Sequence, residues 1–379
     1  MRDKSIVIIG GGIIGASIAY HLAIMGAKNV VLFEKNYVSS GATGRCGGGI
    51  RQQWSARGNV RLAMRSVRKF ETFKQELGWD IEYRQGGYLL LAYTEEEAES
   101  FENNVKMQRE EGLHVEILTP ESIKRRFPYV NTTGVLLGTF CPTDGHANPH
   151  LANFAYIQRA RELGVEVYTH TEVTVVETSS NRVTGIQTKR GYLKCDVLVN
   201  ASGAWSKDVA NMAGSDLPTE SYRHQILVTE PVENFMTPLI MSFSKNFYIR
   251  QTLHGSFLMG QGDPDEKPGI NYRTTLRFEK EIATKLTTVL PFLRNMRIVR
   301  HWSGHYNMSP DAQPIIGRDR NVENLFHAVG FSGHGFMLAP AVGEALAEMI
   351  LTGKTSHIDL SDFDMNRFER KLVKEKNVV

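Results

Sequence analysis

Short apolar runs alternate with glycine at the start of the chain. Ser5 to Ile9 is a β-branched run, and after a glycine-rich turn the apolar residues from Ala16 to Met25 recur at helical spacing. Asn29 to Phe33 is a second extended run, and it ends at Glu34. The pattern predicts a strand, a helix and a strand, which together make a βαβ unit with parallel strands.

Farther along, extended and helical patterns follow one another. Helices are predicted over 61–77, 95–111, 120–127, 151–163 and 340–351, and strands over 81–92, 165–176, 183–189 and 193–200. The segment 224–259 alternates like an antiparallel sheet, with turns at Glu233-Asn234 and His254-Gly255. This sheet is expected to be inserted into the first domain. The last helix is predicted to begin near Pro340, because proline favours the first turn.

Glycine-rich segments lie at the start of the chain, near 200 and near 335. One domain is therefore expected to be assembled from separated pieces of sequence. We predict a nucleotide-binding domain of residues 1–82, 141–222 and 300–379. Residues 83–140 and 223–299 then form a substrate-binding domain.

Composition narrows the class of partner. The 379 residues include 44 basic and 41 acidic side chains without a block of like charge, so no nucleic-acid or polybasic membrane surface is expected. Cys46, Cys141 and Cys195 are widely spaced, which favours reduced thiols and a cytoplasmic location. No apolar run reaches the length of a membrane span. His146, His150, His334 and the cysteines are too scattered to predict a metal site.

The first turn carries a dinucleotide-binding pattern. Gly10-x-Gly12-x-x-Gly15 lies between the predicted strand and helix, where the backbone can approach a pyrophosphate and present helix amides to it. Glu34 follows about 20 positions later, where an acid accepts hydrogen bonds from a ribose hydroxyl. These residues predict a bound dinucleotide but do not separate FAD from NAD.

Two further glycine-rich segments favour FAD. Ser39 to Gly49 consists mostly of small residues, as expected of a loop pressed against a flat isoalloxazine ring, although a flexible surface loop has a similar composition. Gly333-His-Gly335-Phe-Met337 precedes the last helix, whose positive end would stabilise a reduced, anionic flavin. A plain loop before a packing helix is the alternative for this segment.

Four motifs together resemble the D-amino-acid oxidase superfamily of amine-oxidising flavoproteins. They are the N-terminal glycine pattern, Ala201-Ser-Gly-Ala-Trp205, Ser309-Pro-Asp311 and Gly330-Phe-Ser-Gly-His-Gly-Phe336. Within the superfamily, Arg45-Cys-Gly-Gly-Gly-Ile-Arg-Gln-Gln-Trp54 is most similar to the β subunits of hetero-oligomeric L-proline dehydrogenase and sarcosine oxidase. The resemblance implies a p-hydroxybenzoate-hydroxylase-like α/β (α+β) fold, in which a Rossmann-type FAD domain supports a mixed antiparallel sheet.

The resemblance also implies the cofactor set. FAD would be bound non-covalently, and in hetero-oligomeric relatives an FMN is shared with a partner subunit. Cys46 is expected to be a small residue that packs under the flavin ring, in preference to a covalent link to the flavin or a redox-active thiol. The residues assigned to the cofactor are Gly10, Gly12, Ile13, Ile14, Gly15, Glu34, Lys35, Gly41, Ala42, Thr43, Arg45, Cys46, Gly47, Gly48, Gly49, Val173, Ala201, Gly203, Trp205, Gly333, His334, Gly335, Phe336 and Met337.

Four residues are candidates for substrate binding and catalysis. Arg51 aligns with the arginine that binds the substrate carboxylate in monomeric sarcosine oxidases, and a guanidinium fork suits that contact. Tyr248 and Arg250 match a stretch that hangs over the flavin, and the alternative is that both face solvent. His224 is a candidate proton acceptor because an unperturbed histidine titrates near neutrality, although a lone histidine is more often structural.

Two departures from monomeric sarcosine oxidases favour a dehydrogenase. Leu258 and Met337 stand where those enzymes have lysines near the flavin, and both changes remove positive charge that would assist oxygen reduction. We therefore expect the FAD-containing catalytic subunit of an amino-acid dehydrogenase that oxidises L-proline or a related amino acid such as sarcosine and passes electrons to a partner.

Three alternatives stay open. The first is a stand-alone FAD oxidase of glycine, sarcosine or a D-amino acid. The second is a nicotinamide dehydrogenase, and the third is an FAD-bearing scaffold whose partner performs the chemistry. The substrate itself depends on pocket shape, which sequence does not reveal.

Overall fold

The computed structural model describes residues 5–370 and 372–378. Strands in this part of the chain are numbered in order: β1 (Ser5–Ile9), β2 (Asn29–Phe33), β3 (Gly49–Ile50), β4 (Tyr88–Ala92), β5 (Glu116–Leu118), β6 (Leu137–Cys141), β7 (Gly145–His146), β8 (Glu166–Tyr168), β9 (Val173–Ser179), β10 (Arg182–Thr188), β11 (Gly191–Lys194), β12 (Val197–Asn200), β13 (Glu220–Pro231), β14 (Leu239–Ser242), β15 (Phe247–Gln251), β16 (Ser256–Gln261), β17 (Ile298–Met308), β18 (Ile315–Arg318) and β19 (Leu325–Val329). The α-helices are α1 (Ile13–Ile24), α2 (Arg57–Glu71), α3 (Phe73–Leu77), α4 (Glu95–Glu110), α5 (Pro120–Arg126), α6 (Pro149–Glu162), α7 (Ser206–Met212), α8 (Leu276–Val289) and α9 (Gly335–Thr352).

A six-stranded sheet carries the predicted βαβ unit. Its order is β18-β19-β12-β1-β2-β8, and every pairing is parallel except that of β18 with β19. The central strand β1 is buried on both faces, which explains why Ser5–Ile9 is an unbroken apolar run. The βαβ prediction is confirmed. Because β1, β2 and β12 are parallel, their carboxyl ends meet at one edge.

Helix α1 packs between this sheet and α9. A Cβ on Gly343 of α9 would lie 2.1 Å from Ser17 Oγ of α1, so the glycine permits close approach of the two helices. Helix α9 is long and apolar enough to cross a membrane by length and composition, but most of its residues are buried inside the fold. Its apolar character is therefore explained by its position in the core.

An eight-stranded sheet forms the other large unit. Its order is β17-β13-β16-β15-β14-β4-β6-β5, and only the β14–β4 pairing is parallel. The antiparallel sheet predicted over 224–259 is confirmed, with a turn at His254-Gly255 between β15 and β16. The proposed domain boundaries stay a prediction.

Several predicted boundaries were wrong. Helix α9 begins at Gly335, and Pro340 lies inside it rather than in its first turn. The predicted 61–77 helix starts earlier and breaks at Thr72 into α2 and α3. The strand expected over 81–92 begins only at Tyr88. Helix α8 and strand β17 were not predicted. Strand β17 is hard to recognise because it opens with exposed residues and forms by pairing with β13.

Candidate active site

A cavity of about 500 Å³ lies along the carboxyl ends of β1, β2 and β12. It continues past the 40–49 loop to β13, β15 and β17 of the eight-stranded sheet. Every residue assigned to the cofactor from sequence borders it except Gly15, and so do Arg51, His224 and Tyr248. Gly15 serves packing instead, because a Cβ there would lie 2.0 Å from Gly10 O.

Glu34 is held at the edge of the cavity where β1 and β2 end. Its Oε2 accepts from Gly11 N at 2.8 Å, and its Oε1 accepts from Asn36 N at 2.8 Å. Gly10 adopts a φ of +117°, and a Cβ there would lie 2.3 Å from Ala201 O. This turn therefore requires glycine, and it places a fixed carboxylate beside the N-terminus of α1.

Two helix N-termini face the same cavity. The N-cap of α1 is Gly12 and that of α9 is His334, and neither helix has a side-chain cap hydrogen bond or an acid in its first turn. Thr43 Oγ1 accepts from Ile13 N at 3.0 Å, which links the 40–49 loop to α1. Helix N-termini without acidic caps favour anionic groups. The corrected start of α9 places the amides of Gly335 to Met337 directly in this position.

The 40–49 loop is ordered by hydrogen bonds to its own backbone and to β17. Arg45 donates from Nε to Ser40 O at 3.1 Å and from Nη1 to Ser303 O at 3.0 Å. Trp302 Nε1 donates to Arg45 O at 3.0 Å. A flexible surface loop, the alternative raised by its composition, does not match this arrangement.

Cys46 lies in the same loop as a half-buried thiol. Its Sγ donates to Thr43 O at 3.2 Å, and burial raises its pKa to about 11. A thiol with a raised pKa is a weak nucleophile, because the thiolate is the reactive form. The geometry therefore supports the packing role preferred for Cys46.

Arg51 is a buried cation with no acidic partner among the described residues. Its Nη1 donates to Gln53 O at 3.1 Å and its Nη2 to Asn377 O at 2.6 Å, and its guanidinium lies 3.8 Å from the centre of the Trp54 ring. Burial lowers its pKa below the usual value. A guanidinium has five N–H donors, so three are left without a described protein acceptor at the cavity wall.

Three aromatic rings stand side by side at the wall formed by the eight-stranded sheet. His224 is stacked between Tyr306, with ring centres 4.2 Å apart, and Tyr248, with ring centres 5.7 Å apart. His224 Nε2 lies 3.2 Å from Tyr248 Oη and 3.5 Å from Tyr306 Oη. Tyr306 was missed in the sequence because β17 was not predicted. Alternation along the strand would not have found it, because the consecutive residues Gly304 to Asn307 all border the cavity.

The reason for assigning His224 as a proton acceptor does not hold in the folded chain. The prediction depended on a pKa near neutrality, whereas burial lowers the pKa of His224 to about 3. A neutral imidazole between two hydroxyls is better suited to orient those hydroxyls than to collect a proton at physiological pH. The assignment of His224 as a catalytic residue stays a prediction, but a pKa near neutrality no longer supports it.

Arg250 is buried on the same face of β15 as Tyr248, so neither faces solvent. Arg250 does not border the described cavity. Its Nε donates to Gly47 O, and its Nη1 lies 3.2 Å from His146 Nδ1. The arginine therefore supports the 40–49 loop from behind. Direct contact with substrate, as predicted, would require it to leave these partners.

Residues 5–349 match the DAO family, described as FAD dependent oxidoreductases. The chain belongs to the DAO family. Its FAD assignment agrees with the site: two helix N-termini without an acid in the first turn, the Glu34 carboxylate and a glycine-rich loop border one cavity. The predicted enzyme class, an FAD-dependent oxidoreductase, is confirmed.

Relatives cover almost the whole DAO-family chain. It is 31% identical to FAD-dependent oxidoreductase domain-containing protein 1 of Xenopus laevis, covering 99% of this chain and 84% of that protein. It is 30% identical to sarcosine oxidase subunit beta of Rhizobium meliloti, covering 98% and 90%. The crystal structure of L-proline dehydrogenase from P. horikoshii superposes with a TM-score of 0.93 at 38% identity, covering 98% and 99%. The predicted fold class is confirmed.

Replacing Gly12 with Asp is expected to prevent FAD binding while the chain still folds. The carboxylate would cap α1 and place negative charge where the pyrophosphate is expected, and an acidic N-cap is more favourable than glycine by only a few tenths of a kcal/mol, so folding should not suffer. Flavin absorbance per chain after purification should fall to near zero, with an unchanged or higher melting temperature of the apoprotein.

The matched control is Gly12→Ala. A Cβ at Gly12 meets only Thr43 Oγ1 among the protein atoms, at 3.2 Å, so this variant should fold normally. It adds a methyl group beside the expected pyrophosphate but no charge, so it should keep more FAD than Gly12→Asp does. A Gly12→Asp protein that purified with a full complement of FAD would show that the pyrophosphate lies elsewhere.

Proposed function

We propose that this DAO-family chain is the catalytic subunit of an amino-acid dehydrogenase that oxidises the amine of L-proline or a related secondary amino acid such as sarcosine. The observation that carries the proposal is the position of Arg51. Its guanidinium is buried on the wall of the cavity that the 40–49 loop borders, and it has no acidic partner among the described residues. A buried cation is stabilised by an anionic ligand. A substrate carboxylate supplies that charge.

Arg51 would hold the carboxylate and so orient the carbon next to the substrate nitrogen. Its fork can form two parallel hydrogen bonds to the two carboxylate oxygens. The Trp54 ring supports one face of the guanidinium, which limits its rotation. Bound FAD would supply the hydride acceptor for that carbon, and the product would be an imine that water can hydrolyse.

Tyr248 and Tyr306 would contact the nitrogen end of the substrate. Each hydroxyl lies within hydrogen-bond distance of His224 Nε2, and this nitrogen can form a strong hydrogen bond with only one of them at a time. Since His224 is neutral, it adds no positive charge that would oppose a cationic imine product. Desolvation raises the pKa values of both tyrosines, so the hydroxyls stay protonated and act as hydrogen-bond partners.

Dehydrogenase chemistry is favoured over direct use of oxygen. Met337 borders the cavity and Leu258 lies on β16. Neither of these two positions, which are lysines in monomeric sarcosine oxidases, supplies a positive charge in this chain. The lysine among the cavity-lining residues is Lys35, which follows Glu34 at the edge of the parallel sheet. Its Nζ lies 3.5 Å from the centre of the Trp205 ring. A lysine ammonium near the reacting flavin assists oxygen reduction, so the apolar residues at these two positions disfavour it.

A partner subunit that accepts the electrons is part of the proposal. The R. meliloti relative is named as a β subunit, and the P. horikoshii structure is an L-proline dehydrogenase. An FMN shared with such a partner would be one route for electrons, and a cytoplasmic complex would suit three unpaired cysteines.

Anaerobic flavin bleaching tests the proposal. The purified holoprotein is mixed without oxygen with L-proline, sarcosine, glycine and D-proline in turn, and loss of flavin absorbance is followed. Bleaching by L-proline or sarcosine is expected, with turnover restored by an artificial electron acceptor more than by air. Near-stoichiometric hydrogen peroxide in air would instead identify a stand-alone oxidase. A flavin that no amino acid bleaches would refute the proposal.

A further inference from the structure

Residues 372–378, called the strap below, reach the cavity wall beside Arg51. Two hydrogen bonds fix the strap to the loop after β17: Gln313 Nε2 donates to Val373 O at 2.7 Å, and Glu375 N donates to Asp311 O at 2.9 Å. The buried members of the strap are Glu375 and Asn377, whereas the residues between and before them are exposed. The alternation shows that the strap lies against the protein in an ordered way.

The Glu375 carboxylate caps the N-terminus of α2 from outside that helix. It accepts from Ser55 N at 2.9 Å, Ser55 Oγ at 2.5 Å, Ala56 N at 3.0 Å and Asn59 Nδ2 at 3.0 Å. Helix α2 has no side-chain cap hydrogen bond from its own N-cap, Ala56, and no acid in its first turn. A buried carboxylate that accepts four hydrogen bonds at a helix N-terminus is a strong anchor.

Asn377 connects the anchored strap to Arg51. Its carbonyl accepts from Arg51 Nη2 at 2.6 Å, and its Nδ2 donates to Gln53 O at 3.2 Å. Gln53 O also accepts from Arg51 Nη1, so strap and loop hold both Nη atoms of the fork. Val378, the next residue, borders the cavity itself.

We infer that the strap is a positioning element of the substrate-carboxylate site, with Glu375 as its anchor and Asn377 as the residue that orients the Arg51 fork. The inference rests on the proposed function of Arg51. A bidentate contact depends on the direction of the fork, and the strap fixes that direction through a main-chain carbonyl rather than through an acid that would neutralise the charge. Glu375 is therefore a positioning residue and not a catalytic one.

Glu375→Gln tests the inference in the holoprotein. The variant keeps the shape of the side chain but turns an NH2 group toward the N–H donors of α2, which should release the strap. Two fragments of the substrate are titrated without oxygen by the change in flavin absorbance: cyclopentanecarboxylate, which has the acid but no amine, and pyrrolidine, which has the amine but no acid and whose binding is read before any bleaching. The Kd for cyclopentanecarboxylate should rise by roughly tenfold or more, and that for pyrrolidine should stay within about twofold.

Steady-state kinetics should show the same division. The KM for the amino-acid substrate should rise by roughly tenfold, while kcat changes by less than about threefold. Lys376→Ala is the matched control, because this strap side chain is exposed and should leave both probes unaffected. Ser55→Ala is a milder second variant, which removes one donor to Glu375 and should raise the carboxylate Kd by about threefold. FAD content and melting temperature are measured for every variant.

The outcomes separate this inference from the proposed function. If Arg51→Gln weakens cyclopentanecarboxylate binding while Glu375→Gln and Ser55→Ala do not, the strap inference is wrong and the proposed function stands. Equal weakening of both probes by Glu375→Gln would indicate general loosening of the pocket and would also overturn the inference. If Arg51→Gln leaves carboxylate binding unchanged, the proposed carboxylate site is wrong and the strap has no site to position.

Discussion

Arg51→Gln should lower kcat/KM for the amino-acid substrate by roughly 30- to 1000-fold, which corresponds to about 2–4 kcal/mol. The variant removes the buried positive charge and the fork that would bind the carboxylate. FAD should remain bound, because the groups proposed to face its pyrophosphate lie at the N-terminus of α1. Anaerobic bleaching at a series of substrate concentrations measures the change directly.

Arg68→Gln is the control for this experiment. Arg68 is an exposed arginine of α2 outside the cavity, so its loss should change neither bleaching nor FAD content. Arg51→Lys should fall between wild type and Arg51→Gln, because lysine keeps the charge but loses the planar fork. Bleaching of Arg51→Gln at wild-type substrate concentrations would contradict the carboxylate assignment.

The folded protein should lose stability steeply as pH falls from about 6.5 toward 4. Burial lowers the pKa values of five histidines: His21 and His305 to about 4, His146 and His224 to about 3, and His334 well below the usual range. Because these folded pKa values lie below the unfolded one, the stability they contribute is complete above pH 6.5 and is lost as pH falls. Unfolding near pH 5 therefore takes up protons at these positions.

One buried acid opposes this trend. Desolvation raises the pKa of Asp144 to about 6, so this group favours the folded state at low pH and gives up a proton on unfolding near pH 5. Five histidines that take up a proton on unfolding outnumber the one aspartate that releases one, so unfolding near pH 5 is coupled to net proton uptake. The free energy of unfolding should therefore fall with decreasing pH around pH 5, by about 1.4 kcal/mol per pH unit for each proton taken up.

Denaturant unfolding of the holoprotein between pH 7.5 and 5 checks this slope. His305→Gln should reduce the slope by about one proton, since glutamine can replace His305 Nε2 as acceptor for Asn271 N. His114→Gln, at an exposed histidine, should leave the slope unchanged. An equal free energy of unfolding at pH 7 and pH 5 would show that the buried histidines do not control acid stability.

The dinucleotide end of the site could be predicted because its chemistry is local in sequence. Gly10, Gly12 and Glu34 belong to one βαβ unit, whose strands and helix are recognisable from their periodicity. The glycine pattern then specifies a backbone turn that only a few residues can adopt, and Gly10 at a φ of +117° illustrates that constraint. The turn can therefore be recognised from one short stretch of sequence, although strand β12 and Ala201 pack beside it in the fold.

The substrate end was predicted less completely because its residues come from distant strands. Arg51 and Tyr248 were identified by resemblance and His224 by the ordinary pKa of histidine, and all three border the cavity. Tyr306 was missed because β17 carries no continuous apolar run and forms by pairing with β13. Arg250 lies behind the 40–49 loop, which strand alternation could not distinguish from a position over the flavin.

The amino-acid sequence by itself determined the nucleotide-binding turn, the FAD-type loop and the family, because each depends on short runs of residues with specific backbone requirements. Only the tertiary structure decided the state of the side chains that face the substrate. Burial changed His224 from a near-neutral titrating group into a neutral imidazole. The strap brought the Asn377 carbonyl to Arg51 across more than three hundred residues of chain. Desolvation and long-range contacts arise only once the chain is folded, so no local pattern records them.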